Sequence, residues 1–414
     1  MNFFSYQNGT LCAENVPLTE MAQQFGTPAY VYSRAALEHG YREFSEGCSG
    51  RDVLICYSVK ANSNLAVLNL LARLGSGFDI VSGGELARVL AAGGSAAKTV
   101  FSGVGKSEEE LRAALEAGVL CFNIESEAEL DRLASIAASL GKTAPVSLRV
   151  NPDVDPKTHP YIATGLRESK FGIPYDEAIP IYRKAAKLRG VKVAGIDVHI
   201  GSQITDVEPF VAALEKALEF VDVLDATGVR LDHLDLGGGL GIRYRDETPP
   251  APKDYLARLL QRVGGRKIRV LFEPGRSLVG GAGLLLTRVE YLKHGAAKNF
   301  AVVDAAMNDL LRPALYDAWH EVLPVTRRDG SARRYDIVGP VCESADFLAK
   351  ERTLAVAPGD LLAIMSAGAY GMVMSSNYNS RPRPPEVMVD GAKSWLVRER
   401  ERPESLFASE RLLP

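Results

Sequence analysis

Lysine, aspartate, histidine and glutamate stand in this sequence where short apolar runs end. Lys60 follows Val53-Leu54-Ile55-Cys56-Tyr57-Ser58-Val59, and Asp79 lies within Phe78-Asp79-Ile80-Val81, with Ser82 behind it. His199 lies near the end of the run Ile196 to Ile200, with Ser202 two residues beyond the run; Gly237-Gly238-Gly239 follows His233-Leu234-Asp235-Leu236, and Glu273-Pro274-Gly275-Arg276 follows Arg269-Val270-Leu271-Phe272. A lysine at an inner strand end is partly desolvated, which favours the free amine that forms a Schiff base. A glycine run presents bare backbone N–H groups to a phosphate. The Pro-Gly pair forces a sharp bend that can point both Glu273 and Arg276 inward. Cys342-Glu343-Ser344 lies farther on, in a loop bounded by Gly and Pro. Taken singly, these residues also suit plainer roles: a surface lysine, a tight turn, a core histidine, a structural ion pair, a packed cysteine, a solvated glutamate.

The elements that must position them are legible as a rhythm. Apolar runs at 53–59, 78–81, 99–101, 120–124, 145–150, 196–200, 233–236 and 269–273 are rich in β-branched and aromatic residues, as buried parallel strands are. Between them, Ser107 with Glu110 and Ser126 with Glu129 read as capping boxes, and Gly118, Gly141, Gly190 and Gly228 as helix stops. Eight such units between residues 53 and 276 average about 28 residues each. That spacing predicts a closed (β/α)8 barrel, whose sites lie at the C-terminal strand ends and whose seventh and eighth loops commonly cradle phosphate. Beyond 276 the runs at 284–292, 300–303, 335–338, 361–365 and 386–389 predict an all-β domain, completed by a strand at 29–32. The expected division is 1–30 packed with the β-domain, 31–276 as barrel and 277–414 as β-domain, with 381–385 as an extended linker.

Composition excludes several function classes. Forty-eight basic against 51 acidic residues give a net charge of −3 without a long same-sign run, which leaves a nucleic-acid or anionic-membrane surface unsupported. No run reaches the roughly 20 apolar residues that cross a bilayer, and the start lacks the pattern of a signal peptide. The five cysteines are scattered without C-x-x-C spacing, which argues against a disulfide framework or a zinc site and for a cytoplasmic protein. A dinucleotide fingerprint fails because position 242 is Ile, and a P-loop fails because position 100 is Val.

Together, and in order, the motifs resemble the fold-type III pyridoxal-phosphate decarboxylases. The resemblance rests on Tyr57-Ser58-Val59-Lys60-Ala61-Asn62, Asp79 to Leu86, His199-Ile200-Gly201-Ser202-Gln203, Leu236 to Gly241, Glu273 to Arg276 and Gly339 to Ser344. Met307 to Pro313 and the stretch from Thr164 to Gly172 are similar to the diaminopimelate branch of that family.

The resemblance implies a cofactor-bearing barrel, an alanine racemase-like C-terminal β-domain and a homodimer with shared active sites. Lys60 would hold pyridoxal 5'-phosphate as a Schiff base, and Glu273 would keep its ring nitrogen protonated. His199 would lie against the ring, and Asp79 would belong to the same cofactor site. Ser202, Gly238, Gly239, Gly275 and Tyr370 would hold the phosphate, and Arg276 would belong to the same cofactor site. Cys342 of the second subunit would be the proton donor, since thiols titrate near about 8.5. At the far end of meso-diaminopimelate, Arg276, Arg312 and Tyr316 would hold the carboxylate and Glu343 the ammonium group, and Tyr370 would also belong to the substrate site. The implied reaction is decarboxylation to L-lysine. Decarboxylation of ornithine, lysine or arginine, racemisation of an amino acid, and a non-catalytic relative acting as a binding protein are the alternatives. The stretch 151–172 is expected, from its length and charge, to close over the substrate.

Overall fold

The computed structural model describes residues 3–48, 50–155, 164 and 169–414. Its contacts divide the chain into two compact units. One comprises Gly40–Arg243 and Glu247–Ser277; the other takes the residues up to His39, Tyr244–Asp246 and Leu278–Pro414.

The first unit is a closed barrel. Its parallel strands are Val53–Ser58, Gly77–Ile80, Thr99–Phe101, Cys121–Ile124, Ala144–Asn151, Val191–Asp197, His233–Asp235 and Arg269–Phe272. Each pairs with the next, and Arg269–Phe272 returns to Val53–Ser58 through Val270 opposite Val53. The interior is filled by side chains: Cys56, Val100, Cys121, Ala194 and Leu271 form one fully buried cluster. Above it, toward the carboxyl ends, the interior turns polar, with Asp79, Asn123, Arg149, Asp197, Asp235 and Glu273 all buried.

Local signals set the helices. Ser107 accepts from the Glu110 N–H while the Glu110 carboxylate accepts from the Ser107 N–H, so the helix Glu108–Ala117 has its full capping box and stops at Gly118. At Ser126 only half of the box forms. The Ser126 hydroxyl caps Glu129, but the Glu129 carboxylate turns to the N–H of Glu125 and to Lys106. The buried Lys106 ammonium outcompetes the local cap, because a desolvated cation requires a charged partner.

The second unit is built on a sheet in the order Phe347–Leu354, Arg333–Val338, Asn299–Val303, Gly283–His294, Ala29–Ser33, Glu386–Asp390 and Lys393–Arg398. Ala29–Ser33 lies in its middle, antiparallel to Gly283–His294 and parallel to Glu386–Asp390. The division expected at residue 30 therefore falls after His39, since a strand bonded on both edges carries the following residues with it. The unit is not purely β: it also holds the helices Leu18–Phe25 and Arg312–Tyr316. The stretch 381–385 is extended as expected but is anchored, with Arg381 donating to the Asp304 carbonyl at 2.6 Å and to Asn308 Oδ1 at 3.1 Å. No described helix is long and apolar enough to cross a membrane.

Candidate active site

The polar residues at the carboxyl ends of the barrel strands form one connected cluster. Lys60 lies on the 3-10 turn Val59–Ala61 directly after the first strand. The Tyr57 hydroxyl donates to the Asn62 carbonyl at 2.9 Å and the Ser58 N–H to the Pro274 carbonyl at 3.1 Å, which ties the first strand end to the eighth. Lys60 Nζ donates to Asp79 Oδ2 at 2.8 Å, and the Ser58 hydroxyl donates to the same oxygen at 2.7 Å. The Lys60 side chain is half-buried, 35% exposed, and ion-paired with Asp79. Asp79 is fully buried, and its Oδ1 has no hydrogen-bond partner.

Glu273 directly follows the eighth strand and is buried, with Oε1 unpartnered. Oxygens of Glu273, Asp197 and Asp235 lie within 4.8 Å of one another. Burial first, and then the neighbouring carboxylates, push the Glu273 and Asp197 carboxyls well above the ordinary range; burial likewise pushes Asp235 to about 6. Three carboxyls this close and this dry cannot all be ionised at neutral pH. Arg149 offsets part of their charge, with Nε 3.9 Å from Asp197 and Nη1 2.9 Å from Glu125. Glu125 joins three loops: it also accepts from the N–H groups of Gly103 and Gly172. Asn123, Glu125, Arg149, Asp197 and Asp235 are members of this layer that the sequence reading did not single out. Their signal was there, as polar residues alternating with apolar ones near strand ends.

His199 follows the sixth strand. Its Nδ1 accepts from the Gly238 N–H at 3.1 Å, which joins its loop to the glycine run after the seventh strand. Burial above all, and then the charges of Arg149 and Lys60, hold the imidazole well below its usual value, so the ring is neutral. Arg276 is buried and donates from Nη2 to the Ser202 hydroxyl at 3.0 Å. The residues of this end fit a phosphorylated pyridine aldehyde. The unpartnered Glu273 oxygen offers a buried acceptor to a ring N–H, and Lys60 brings an amine. The backbone at Gly238 and Gly275 is approached closely by neighbouring residues, so a side chain at either position would intrude. A Cβ on Gly238 would stand 2.1 Å from the Glu273 carbonyl oxygen, and one on Gly275 would press on Ser58 and Ala61 at 3.0 and 3.1 Å. Gly239, next in the glycine run, takes a positive φ of 113°.

Lys60, Asp79, His199, Ser202, Gly238, Gly239, Glu273, Gly275 and Arg276 are thus brought together by the barrel. Arg312, Tyr316, Cys342, Glu343 and Tyr370 belong to the second unit. There Arg312 is buried at the start of the helix Arg312–Tyr316, one turn from half-buried Tyr316. Cys342 and Glu343 are exposed, with the Cys342 N–H donating to Asn379 Oδ1 at 2.9 Å. Tyr370 is half-buried, with φ of 55°. Of the stretch 151–172 read as a closing loop, residues 156–163 and 165–168 lie outside the described residues.

Known proteins are similar to this chain over its whole length. Residues 34–280 match the family of the pyridoxal-dependent decarboxylase, pyridoxal binding domain. The chain is 61% identical to a diaminopimelate decarboxylase of Pseudomonas aeruginosa and 58% identical to one of Vibrio cholerae, in both cases over 100% of both chains. Among solved structures, diaminopimelate decarboxylase from Helicobacter pylori complexed with L-lysine is 43% identical with a TM-score of 0.92, covering 95% of this chain and 99% of that one. Diaminopimelate decarboxylase from M. jannaschii in complex with L-lysine is 37% identical with a TM-score of 0.94, covering 99% and 98%. With its barrel closed around a lysine, a buried glutamate and a bare glycine cradle, the chain belongs to the pyridoxal-dependent decarboxylase family and, within it, to the diaminopimelate decarboxylases.

Proposed function

We propose that the chain decarboxylates meso-2,6-diaminopimelate to L-lysine and CO2, the closing step of lysine biosynthesis, as a cytoplasmic homodimer with shared active sites. Pyridoxal phosphate, when bound, supplies the electron sink that takes up the electron pair left when the carboxylate departs as CO2. Lys60 would hold that cofactor through Nζ, and Asp79 and Ser58 keep the lysine end in place. Glu273 would keep a proton on the ring nitrogen, and neutral His199 would present an uncharged ring to it. Backbone groups of Gly238, Gly239 and Gly275, with Ser202 and Tyr370, would hold the phosphate. Cys342 of the second copy would deliver the proton that replaces CO2, and Glu343 of that copy would pair with the distal ammonium group. Both are exposed in a single chain, as residues that complete another copy's site must be.

The observation that carries the substrate assignment is the buried guanidinium of Arg312, 6% exposed. A cation so placed suits the distal carboxylate of diaminopimelate, with Tyr316 and Arg276 beside it in the assignment. Ornithine and lysine offer only an ammonium group at that end, which a buried arginine repels. The test is CO2 release by purified holoenzyme from meso-diaminopimelate, ornithine, lysine and arginine. Turnover of diaminopimelate alone is expected, and comparable release from ornithine or lysine would overturn the reading. Sedimentation of the holoenzyme should give a dimer.

A further inference from the structure

Arg312 is aimed by a histidine. Its Nη1 lies 2.8 Å from Nε2 of His320, and Nδ1 of His320 lies 2.8 Å from the Met365 carbonyl oxygen. A carbonyl only accepts and a guanidinium only donates. Nδ1 therefore carries the hydrogen and Nε2 the lone pair, so His320 is a neutral imidazole in a single tautomer with both nitrogens engaged. The ring is fully buried and stands edge-on to Tyr244 at 5.3 Å; the same Tyr244 ring lies 4.6 Å from the Arg312 guanidinium carbon. The anchor is part of the sheet. His320 precedes the strand Val322–Pro324, Met365 follows Leu361–Ile364, and these strands pair antiparallel with Val322 opposite Ile364. The Met365 N–H donates to the Glu321 carbonyl at 2.8 Å, which holds the two strand ends together beside the ring.

We propose that His320 is a positioning and specificity-determining residue: it directs Arg312 toward the substrate's distal carboxylate while leaving the guanidinium charge undiminished. This rests on the reading of Arg312 as the carboxylate clamp. An imidazole acceptor fixes the direction of Nη1 without adding negative charge. A carboxylate in its place would fix the direction equally well but would neutralise the cation that the substrate must meet. A protonated His320 would lose the lone pair and set two cations 2.8 Å apart.

Two variants of the holoenzyme separate the two ring bonds. His320→Asn retains a donor for the Met365 carbonyl and removes the acceptor for Arg312; His320→Gln places an amide oxygen where Nε2 was. The probes are L-lysine, which keeps the distal carboxylate, and cadaverine, which lacks it. His320→Asn is expected to raise the KM for meso-diaminopimelate and the inhibition constant of L-lysine by about tenfold or more, the size of one charge-assisted hydrogen bond. Its kcat should stay within about threefold of wild type, its inhibition by cadaverine should be unchanged, and His320→Gln should restore most of the loss. Arg312→Ala serves as the reference. If Arg312→Ala leaves L-lysine inhibition unchanged, the clamp reading falls and the proposal with it. If Arg312→Ala weakens L-lysine and His320→Asn does not, the clamp stands and the positioning role falls. Equal losses toward L-lysine and cadaverine would show a merely structural role and would also overturn it. Should the variants not fold, 15N spectra of histidine-labelled wild-type holoenzyme still decide: an Nδ1–H tautomer at His320 supports the proposal and an Nε2–H tautomer sinks it.

Discussion

The backbone N–H of Gly238 donates to Nδ1 of His199 at 3.1 Å. The bond joins two loops that are distant in sequence, and it settles the ring's tautomer. With Nδ1 accepting, the neutral imidazole carries its hydrogen on Nε2.

Gly238→Ala should break this arrangement. The added Cβ would stand 2.1 Å from the Glu273 carbonyl oxygen, so the backbone at 238 must move and the His199 bond must lengthen. Affinity for pyridoxal phosphate is expected to fall by about tenfold or more. Absorbance titration of the apo protein measures it; wild-type affinity would refute the close-approach argument.

Glu273→Gln should split stability from cofactor binding. Burial and the adjacent carboxylates raise the Glu273 carboxyl, so the native state holds a proton there that the unfolded chain releases near 4.5. Its contribution to stability is complete below that value and is lost as pH rises through the raised native one. An amide cannot ionise, so the apo variant should lose less Tm than wild type between pH 6 and pH 9. Cofactor affinity and kcat should both fall, because an amide is a poor partner for a ring N–H cation. An equal fall of Tm in both proteins would place the pH dependence elsewhere.

His233 should act with the opposite sign. It is buried at the start of the seventh strand, and burial lowers its imidazole to about 4 from 6.5. The unfolded chain takes up a proton below 6.5 that the native ring refuses, so native stability falls as pH drops from 6.5 toward 4. The full shift corresponds to about 3 kcal/mol. His233→Gln removes this dependence, and denaturant unfolding at pH 7 and pH 4.5 should show the variant gaining on wild type at the lower pH. Parallel curves would contradict the assignment.

Cys342→Ala should lower kcat on the order of 10²–10⁴-fold, the usual worth of a positioned proton donor. Inhibition by L-lysine should change little. Mixing Cys342→Ala with Lys60→Ala subunits should recover part of the activity if each site takes Lys60 from one copy and Cys342 from the other. No recovery after verified subunit exchange would argue against shared sites.

Much of the fold was readable because buried parallel strands are continuous apolar runs between helix signals: seven of the eight barrel strands lie where those runs lie, while the sixth, Val191–Asp197, begins before the run read at 196–200. The strand at 29–33 was equally legible, but its place in the middle of the second sheet was not, since its partners lie at 283–286 and 386–389. The strands Phe347–Leu354 and Lys393–Arg398 went unread: their many charged residues mask the alternation of a half-exposed edge. The half-formed box at Ser126 has the same kind of cause, a buried lysine brought from residue 106.

The sequence by itself determined the order of the strands, the lysine after the first, the glycine run after the seventh and the Glu-Pro-Gly-Arg turn after the eighth, because residue type and spacing are local properties. Only the tertiary structure decided charge and direction. The raised carboxyls of Asp197, Asp235 and Glu273, the neutral ring of His199 and the aim of Arg312 from His320 all arise from burial and from neighbours on other elements. Desolvation and hydrogen-bond geometry exist only once those elements are packed together.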